Sequence, residues 1–255
     1  MMKLVSCIAL GLTLLAARPA AAETVKVLTA GAFKQVILAL VPGFEAAHRG
    51  DHITVDNDTV GALVKRVDGG EAFDLLVLTP AAIDALTGRG RLAPGSRVDL
   101  ARVGIGIVVK AGAPVPDIGT TAAVTRTLLD ASSIAYLDPA AGGSSGIYVA
   151  GMLQRLGIAD VVARKAVLVP GGLVGQPVAD GKAAIGIHQI SELLPVPGLT
   201  YVGPLPPELQ SYTTYAGAIA AKAADPGVAT AFLRFLAGAE GVQVLKAKGM
   251  EPVGH

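Results

Sequence analysis

Short, continuously apolar runs set between helical patterns constrain this chain more than any other feature of its sequence. Asp74–Leu78, Ile134–Leu137 and Ala184–Ile187 are too short for helices and too uniformly apolar for strands with one wet face. Strands of that kind are buried on both sides, which calls for a largely parallel sheet covered by helices. The intervening segments supply those helices. Thr24–Leu28 reads as a strand and Phe33–His48 as an amphipathic helix kinked at Pro42. Ile53–Asp56 is a second strand, Val60–Asp68 a second helix, and Pro80–Thr87 a helix with proline in its first turn. Further on, Val103–Val109 reads as one strand, Thr120–Asp130 as a helix, Gly146–Leu156 as a helix and Lys165–Val169 as a strand. Tyr212–Ala220 is a late strand, and Gly227–Lys248 two helices broken near Gly238. Ala111–Pro116 and the proline-dense stretch Pro195–Pro207 read as connections. Two α/β units fit this order better than one long sheet, and a cleft between two lobes is a natural small-molecule site.

Composition narrows the function. With 52% hydrophobic and 16% charged residues the chain is not disordered, and a net charge of +1 without any Lys/Arg block argues against a nucleic-acid binder. Aromatic residues make up 4% and Trp is absent, so stacking platforms are scarce.

Lys3, the apolar run Leu4–Ala17, Arg18 and the Ala20-Ala21-Ala22 site follow the order of a cleavable secretory signal, with cleavage expected after Ala22. The only cysteine, Cys7, falls within that signal. The exported chain is therefore expected to have no disulfide, no cysteine metal site and no cysteine nucleophile. No later apolar run is long enough to span a membrane, so no membrane insertion is expected after cleavage.

The densest chemical signal is Asp138-Pro139-Ala140-Ala141-Gly142-Gly143-Ser144-Ser145-Gly146-Ile147-Tyr148. A strand ends, glycines turn the backbone, and two serines open a helix whose free N–H groups favour an anion. Gly143, Ser144, Ser145 and Gly146 are candidate ligand contacts. Plain N-capping needs only one serine and no glycine pair. The run also spells G-x-S-x-G. However, Asp138–Ala141 separates strand from turn and no HGGG-like segment lies upstream, so Ser144 is not expected to be a nucleophile. His188 and Gln189 follow a buried strand and are expected to face the cleft, where His188 can bind a carboxylate or move a proton. The first strand leads through Thr29 and Gly31 into a helix carrying Lys34, a cation suited to an anionic ligand. Thr59, after the second strand, either donates to a ligand or caps its helix. Lys65 and Arg66 read as a solvated helix face, and His48, His52 and His255 as solvated. No H-E-x-x-H or P-loop pattern occurs, so neither a metal nor a cofactor is expected.

Several of these segments together carry a family resemblance. Val25–Lys34, Gly61–Gly70 followed by Phe73-Asp74-Leu75-Leu76, Asp138–Tyr148 with Leu156-Gly157-Ile158, and Gly181–Ile187 resemble, in order and spacing, the periplasmic solute-binding proteins of ABC uptake systems, in particular their molybdate-binding branch. The resemblance implies a two-lobe α/β fold with mixed, mostly parallel sheets and the ligand between the lobes. The lobes are expected at 23–102 plus 199–255 and at 103–198. It further implies a periplasmic monomer that closes on a small anion and delivers it to an ABC permease. Where the family's molybdate site uses two serines and a tyrosine, this chain aligns Ala32, Gly61 and Gln189. That change points to an organic carboxylate rather than molybdate. The superfamily also contains similar periplasmic proteins that are enzymes, an isomerase of aconitate among them. On that alternative His188 is the acid or base and Lys34 stabilises negative charge.

Overall fold

A computed structural model of the protein describes residues 24–253. The expected signal segment, Cys7 and His255 lie outside the described residues. The first sheet is built from β1 (Thr24–Ala30), β2 (His52–Asp58), β3 (Leu75–Leu78) and β4 (Val98–Val103), with α1 (Gly31–Ala47), α2 (Val60–Asp68) and α3 (Pro80–Gly88) between them. The chain then crosses at Gly104 into a second sheet. There β5 (Ile105–Lys110), α4 (Thr121–Asp130), β6 (Ile134–Leu137), α5 (Ser144–Arg155), α6 (Ala159–Ala163) and β7 (Ala166–Val169) follow one another. After these come α7 (Gly175–Ala179), β8 (Ile185–Gln189), α8 (Ile190–Leu193) and β9 (Leu199–Pro204). A second crossing returns to the first sheet through β10 (Thr213–Ile219), α9 (Pro226–Ala237), α10 (Ala239–Ala247) and β11 (Glu251–Pro252).

The strand orders are β11-β4-β10-β3-β1-β2 and β7-β6-β8-β5-β9. Each sheet has three parallel strands at one end and antiparallel strands at the other. Four of the nine pairings are parallel, so the sheets are mixed rather than mostly parallel. The antiparallel share comes from the strands on either side of the two crossings. The expected apolar strands β3, β6 and β8 are buried along their whole length. Apolar side chains on the two sheets and their helices form separate cores, one around Phe33, Phe44, Leu76 and Phe232, a second around Ile107, Tyr136, Met152 and Ile187, and a third around Val108, Leu137, Val174 and Val178.

Two expectations need correction here. Val103–Val109 is not one strand. It divides into β4 and β5, which belong to different sheets. A Cβ at Gly104, between them, would stand 3.1 Å from the Gln210 carboxamide. That side chain accepts from Ile105 N at 2.7 Å and donates to Ile105 O at 3.0 Å, tying the two crossings together. The proline-rich stretch is likewise more than a connection. Leu199–Pro204 pairs with β5 as the edge strand of the second sheet, so residues 199–204 do not join the first. Pro204 is tolerated because an edge strand has one side without ladder bonds. Among the described residues no single helix is long and apolar enough to cross a membrane.

Arg66 is not a freely solvated helix side chain. Its guanidinium binds Glu71 from 2.6 Å and also Asp56, and it lies 3.8 Å from Asp58. Glu71 in turn accepts from the Lys26 ammonium at 2.8 Å. The Arg66 guanidinium, then the Lys26 ammonium, hold the Glu71 carboxyl down at about 2. A carboxyl lowered in this way stabilises the fold above its ordinary value of 4.5 and loses that contribution as pH falls toward 2. With a quarter of the Glu71 side chain exposed, solvent screening limits the effect to about 1 kcal/mol. Arg66→Gln is therefore expected to lose about 1 kcal/mol at pH 7. Its loss of stability on acidification should be shallower than that of the parent. Urea denaturation at neutral pH and at pH 3 checks both statements.

Candidate functional site

A cleft between the two sheets, with about 520 Å³ of empty space including its solvent-open part, is where the chemistry-bearing side chains meet. Its wall is made by the starts of three helices. After β6, the Asp138 carboxylate accepts from Ala140 N at 2.9 Å and caps the short turn Pro139–Ala141. Gly142 then takes a left-handed φ of 73°, which a side chain would resist, and α5 begins at Ser144. No side chain caps α5, nor does any cap α1, whose first residue is Gly31. The leading N–H groups of both helices are thus left for a ligand, and both helix dipoles favour an anion there. The third helix start, at α2, is capped by Thr59, which accepts from Ala62 N at 3.2 Å.

Within this wall lies a buried polar chain. Ser145 Oγ and His188 Nδ1 are 2.8 Å apart, and His188 Nε2 is 3.3 Å from Glu192 Oε2. The second contact has ion-pair distance without hydrogen-bond alignment, which leaves Nε2 without a hydrogen-bond partner. His188 is 1% exposed, Ser145 2% and Glu192 7%. Beside them the Gln189 amide and the Tyr215 hydroxyl exchange hydrogen bonds at 2.9 and 3.2 Å. Burial pushes the Tyr215 phenol well above its ordinary range and the Glu192 charge pushes it further, while bonds from Gln189 and Ser144 oppose the shift. The described lining residues include Asp58 and Glu192 but no lysine or arginine. An anion here would be held by N–H groups and hydroxyls.

Of the residues expected at the site, Gly31, Thr59, Gly143, Ser144, Ser145, His188 and Gln189 line the cleft. His188 and Gln189 are the last two residues of β8 rather than residues beyond it. Thr29, Lys34 and Gly146 do not line it. The Thr29 hydroxyl is buried and donates to the Ala30 carbonyl at 3.1 Å. The cleft meets α1 only at its first two residues, so the half-buried Lys34, higher on the helix, stays behind. Gly146 instead packs against the backbone at Leu137. Thr59 lines the cleft, but its proton is committed. Its hydroxyl donates to Ala141 O at 2.6 Å, across to the other sheet's side of the molecule. Next to it Gly61 N donates to Gly142 O at 3.3 Å. Thr59→Val removes both the cap and that bond. We expect it to lower stability by about 1 kcal/mol and to give a more open scattering profile in small-angle X-ray measurements.

Glu192 and Tyr215 are the functional groups that sequence reasoning missed. The spacing of His188 and Glu192, four residues apart, was a usable signal for the first. For Tyr215 there was only its place in an apolar strand.

Comparison with known proteins follows the same lines. Residues 25–251 match the family model described as bacterial extracellular solute-binding protein. The chain is 35% identical over 256 residues, 96% of each chain, to a Pseudomonas protein named aconitate isomerase. The fold is similar to that of the Azotobacter vinelandii periplasmic molybdate-binding protein, with a TM-score of 0.75 and 19% identity over 89% of this chain and 98% of that one. It is also similar to the sulfate-binding protein SubI of Mycobacterium tuberculosis, with a TM-score of 0.73 and 16% identity over 91% and 87% of the two chains.

Proposed function

The chain belongs to the bacterial extracellular solute-binding protein family, and on that premise we propose that its cleft binds a small carboxylate anion and isomerises it. The substrate class is an unsaturated tricarboxylate of the aconitate type, and the reaction is a proton transfer that needs no cofactor. The observation that carries this reading is the buried Ser145–His188–Glu192 chain beside two uncapped helix starts. A receptor needs only donors for its ligand. An imidazole held between a hydroxyl and a carboxylate, with little solvent, is arranged to take and return a proton. The 35% identity to the aconitate isomerase, along nearly the whole of both chains, supports the same chemistry.

In the reaction, His188 takes a proton from the methylene carbon next to a carboxylate. The electron pair of that C–H bond spreads over the allylic system and its carboxylates. The N–H groups at the starts of α1 and α5, with the Ser144 hydroxyl, hold the carboxylates and stabilise the developing charge. The proton is returned to the former vinylic carbon, and the double bond moves by one position. One C–H bond breaks and one forms, so nothing else is consumed. Lys34, outside the cleft lining, has no part in this scheme. The protein acts in the periplasm as a monomer after signal cleavage.

A second reading has its own support. Bonds joining the two sides of the cleft, Thr59 to Ala141 and Gly61 to Gly142, suit closure over a ligand by a receptor serving an ABC permease. Incubation with cis- or trans-aconitate in D2O, followed by proton NMR, separates the two. Interconversion with deuterium incorporation supports the isomerase. Binding without turnover supports the receptor, and absence of binding removes aconitate as its ligand and the isomerase with it.

A further inference from the structure

Among the described residues Glu192 is the one buried carboxylate lining the cleft, and the scheme above uses it only to hold the imidazole. Its only ion-pair partner among the described residues is His188, and it accepts no hydrogen bond there. The carboxylate is seated where a ligand's own anion would go. A Cβ placed on Gly31, the first residue of the uncapped α1, would lie 2.6 Å from Glu192 Oε1. Glu192 is thus a resident anion at an anion-favouring helix start. The groups facing it are His188 from β8, the Tyr215 phenol from β10 and the backbone at Gly31 from α1. Asp58 adds a second negative charge on the cleft wall, and no lysine or arginine lines it. Lys34, on α1, makes no ion pair with it among the described residues.

A ligand carboxylate brought to this place meets a carboxylate. Two such groups in a buried site do not both stay ionised, and the pair holds one proton between them. Sulfate is the anion of a far stronger acid and takes no share of such a proton at neutral pH. We infer that Glu192 selects the ligand: the cleft takes up a carboxylate together with one proton, shared between ligand and Glu192, and turns away sulfate-like dianions. The inference rests on the anion-binding half of the proposed function and not on turnover.

Calorimetric titration of the full protein with aconitate tests it, above pH 7 where the free ligand is ionised, in buffers of different ionisation enthalpy. The parent is expected to take up close to one proton per ligand, with affinity falling by up to about tenfold per pH unit. Glu192→Gln keeps the shape and loses the charge. It is expected to take up almost no proton, to lose the pH dependence, and to bind sulfate at least about tenfold more tightly than the parent does. Glu192→Asp, which keeps a carboxylate, should keep the uptake, and melting of both free variants confirms that they fold. Proton uptake that survives in Glu192→Gln would put the proton on His188 and overturn the inference. So would a parent protein that already binds sulfate as well as Glu192→Gln does. If aconitate binds with proton uptake but is not converted, the isomerase falls and this inference stands. If neither protein binds aconitate, the carboxylate reading falls, and the sulfate titration alone decides on Glu192.

Discussion

In a His188→Gln protein, conversion of aconitate should fall by roughly 10²–10⁴-fold, the usual worth of a positioned acid or base, while ligand affinity stays within a few-fold. Glutamine fills nearly the same space and can still bond to Ser145. It cannot take a proton near neutral pH. In the proposed scheme helix N–H groups and hydroxyls hold the anion, and among the described residues no lysine or arginine lines the cleft, so the ground-state complex should survive the change. The expected signature is therefore a fall in kcat with little change in Kd, which is what loss of a transition-state interaction produces. Deuterium incorporation from solvent should fall in parallel. Ser145→Ala extends the test. If Ser145 only orients the ring through the 2.8 Å contact, kcat falls modestly. If its hydroxyl passes the proton between ligand and imidazole, kcat falls about as far as in His188→Gln. Full turnover in His188→Gln would remove the imidazole from the mechanism.

Local pattern revealed those parts of the site that are made locally. Val60–Asp68 was readable as a helix from its periodicity and agrees with α2 to the residue. The β6-to-α5 turn was readable because glycines followed by serines have few other uses. Its helix starts two residues earlier than expected, since the serines belong to the first turn rather than precede it. What escaped was set by long-range contact. The four-residue α8 is too short to show a period, so the four-residue spacing from His188 was the one local signal for Glu192. Tyr215 reaches the cleft only because β10 returns to the first sheet after the whole second sheet has been made, 26 residues beyond its partner Gln189. The split between β4 and β5 rests on one glycine inside an apolar run, and nothing local distinguishes that from a continuous strand. Lys34 was a reasonable cation for an anion site. Among the described residues no lysine or arginine lines the cleft, and the uncapped helix starts are what offers positive potential there.

That dependence on where a helix begins makes one small substitution costly. A Cβ at Gly146 would run into the Leu137 carbonyl oxygen and stand 3.0 Å from the carbonyl carbon. Both are backbone atoms at the end of β6, so no side-chain rotation can relieve the contact and α5 itself must shift. Gly146→Ala should therefore cost about 1–3 kcal/mol, as overpacking usually does. At about 2–4 °C per kcal/mol for a chain of this size, the melting temperature should fall by roughly 2–12 °C. The same shift carries Ser144 and Ser145 away from His188, and a misplacement of about 1 Å can cost roughly 10²-fold in turnover. Gly151, on the same helix, is the matched control, since a Cβ there would meet nothing closer than the flexible Arg155 guanidinium at 3.4 Å. Gly151→Ala should gain up to about 1 kcal/mol of helix propensity and raise the melting temperature by roughly 2–4 °C, with turnover unchanged. Thermal melts of the two alanine variants, read with aconitate conversion, decide the matter. Opposite shifts, with activity lost only in Gly146→Ala, are expected if the contact between α5 and β6 sets the geometry of the site. Equal melts and equal activities would mean that the helix start tolerates movement and that the cleft is positioned by something else.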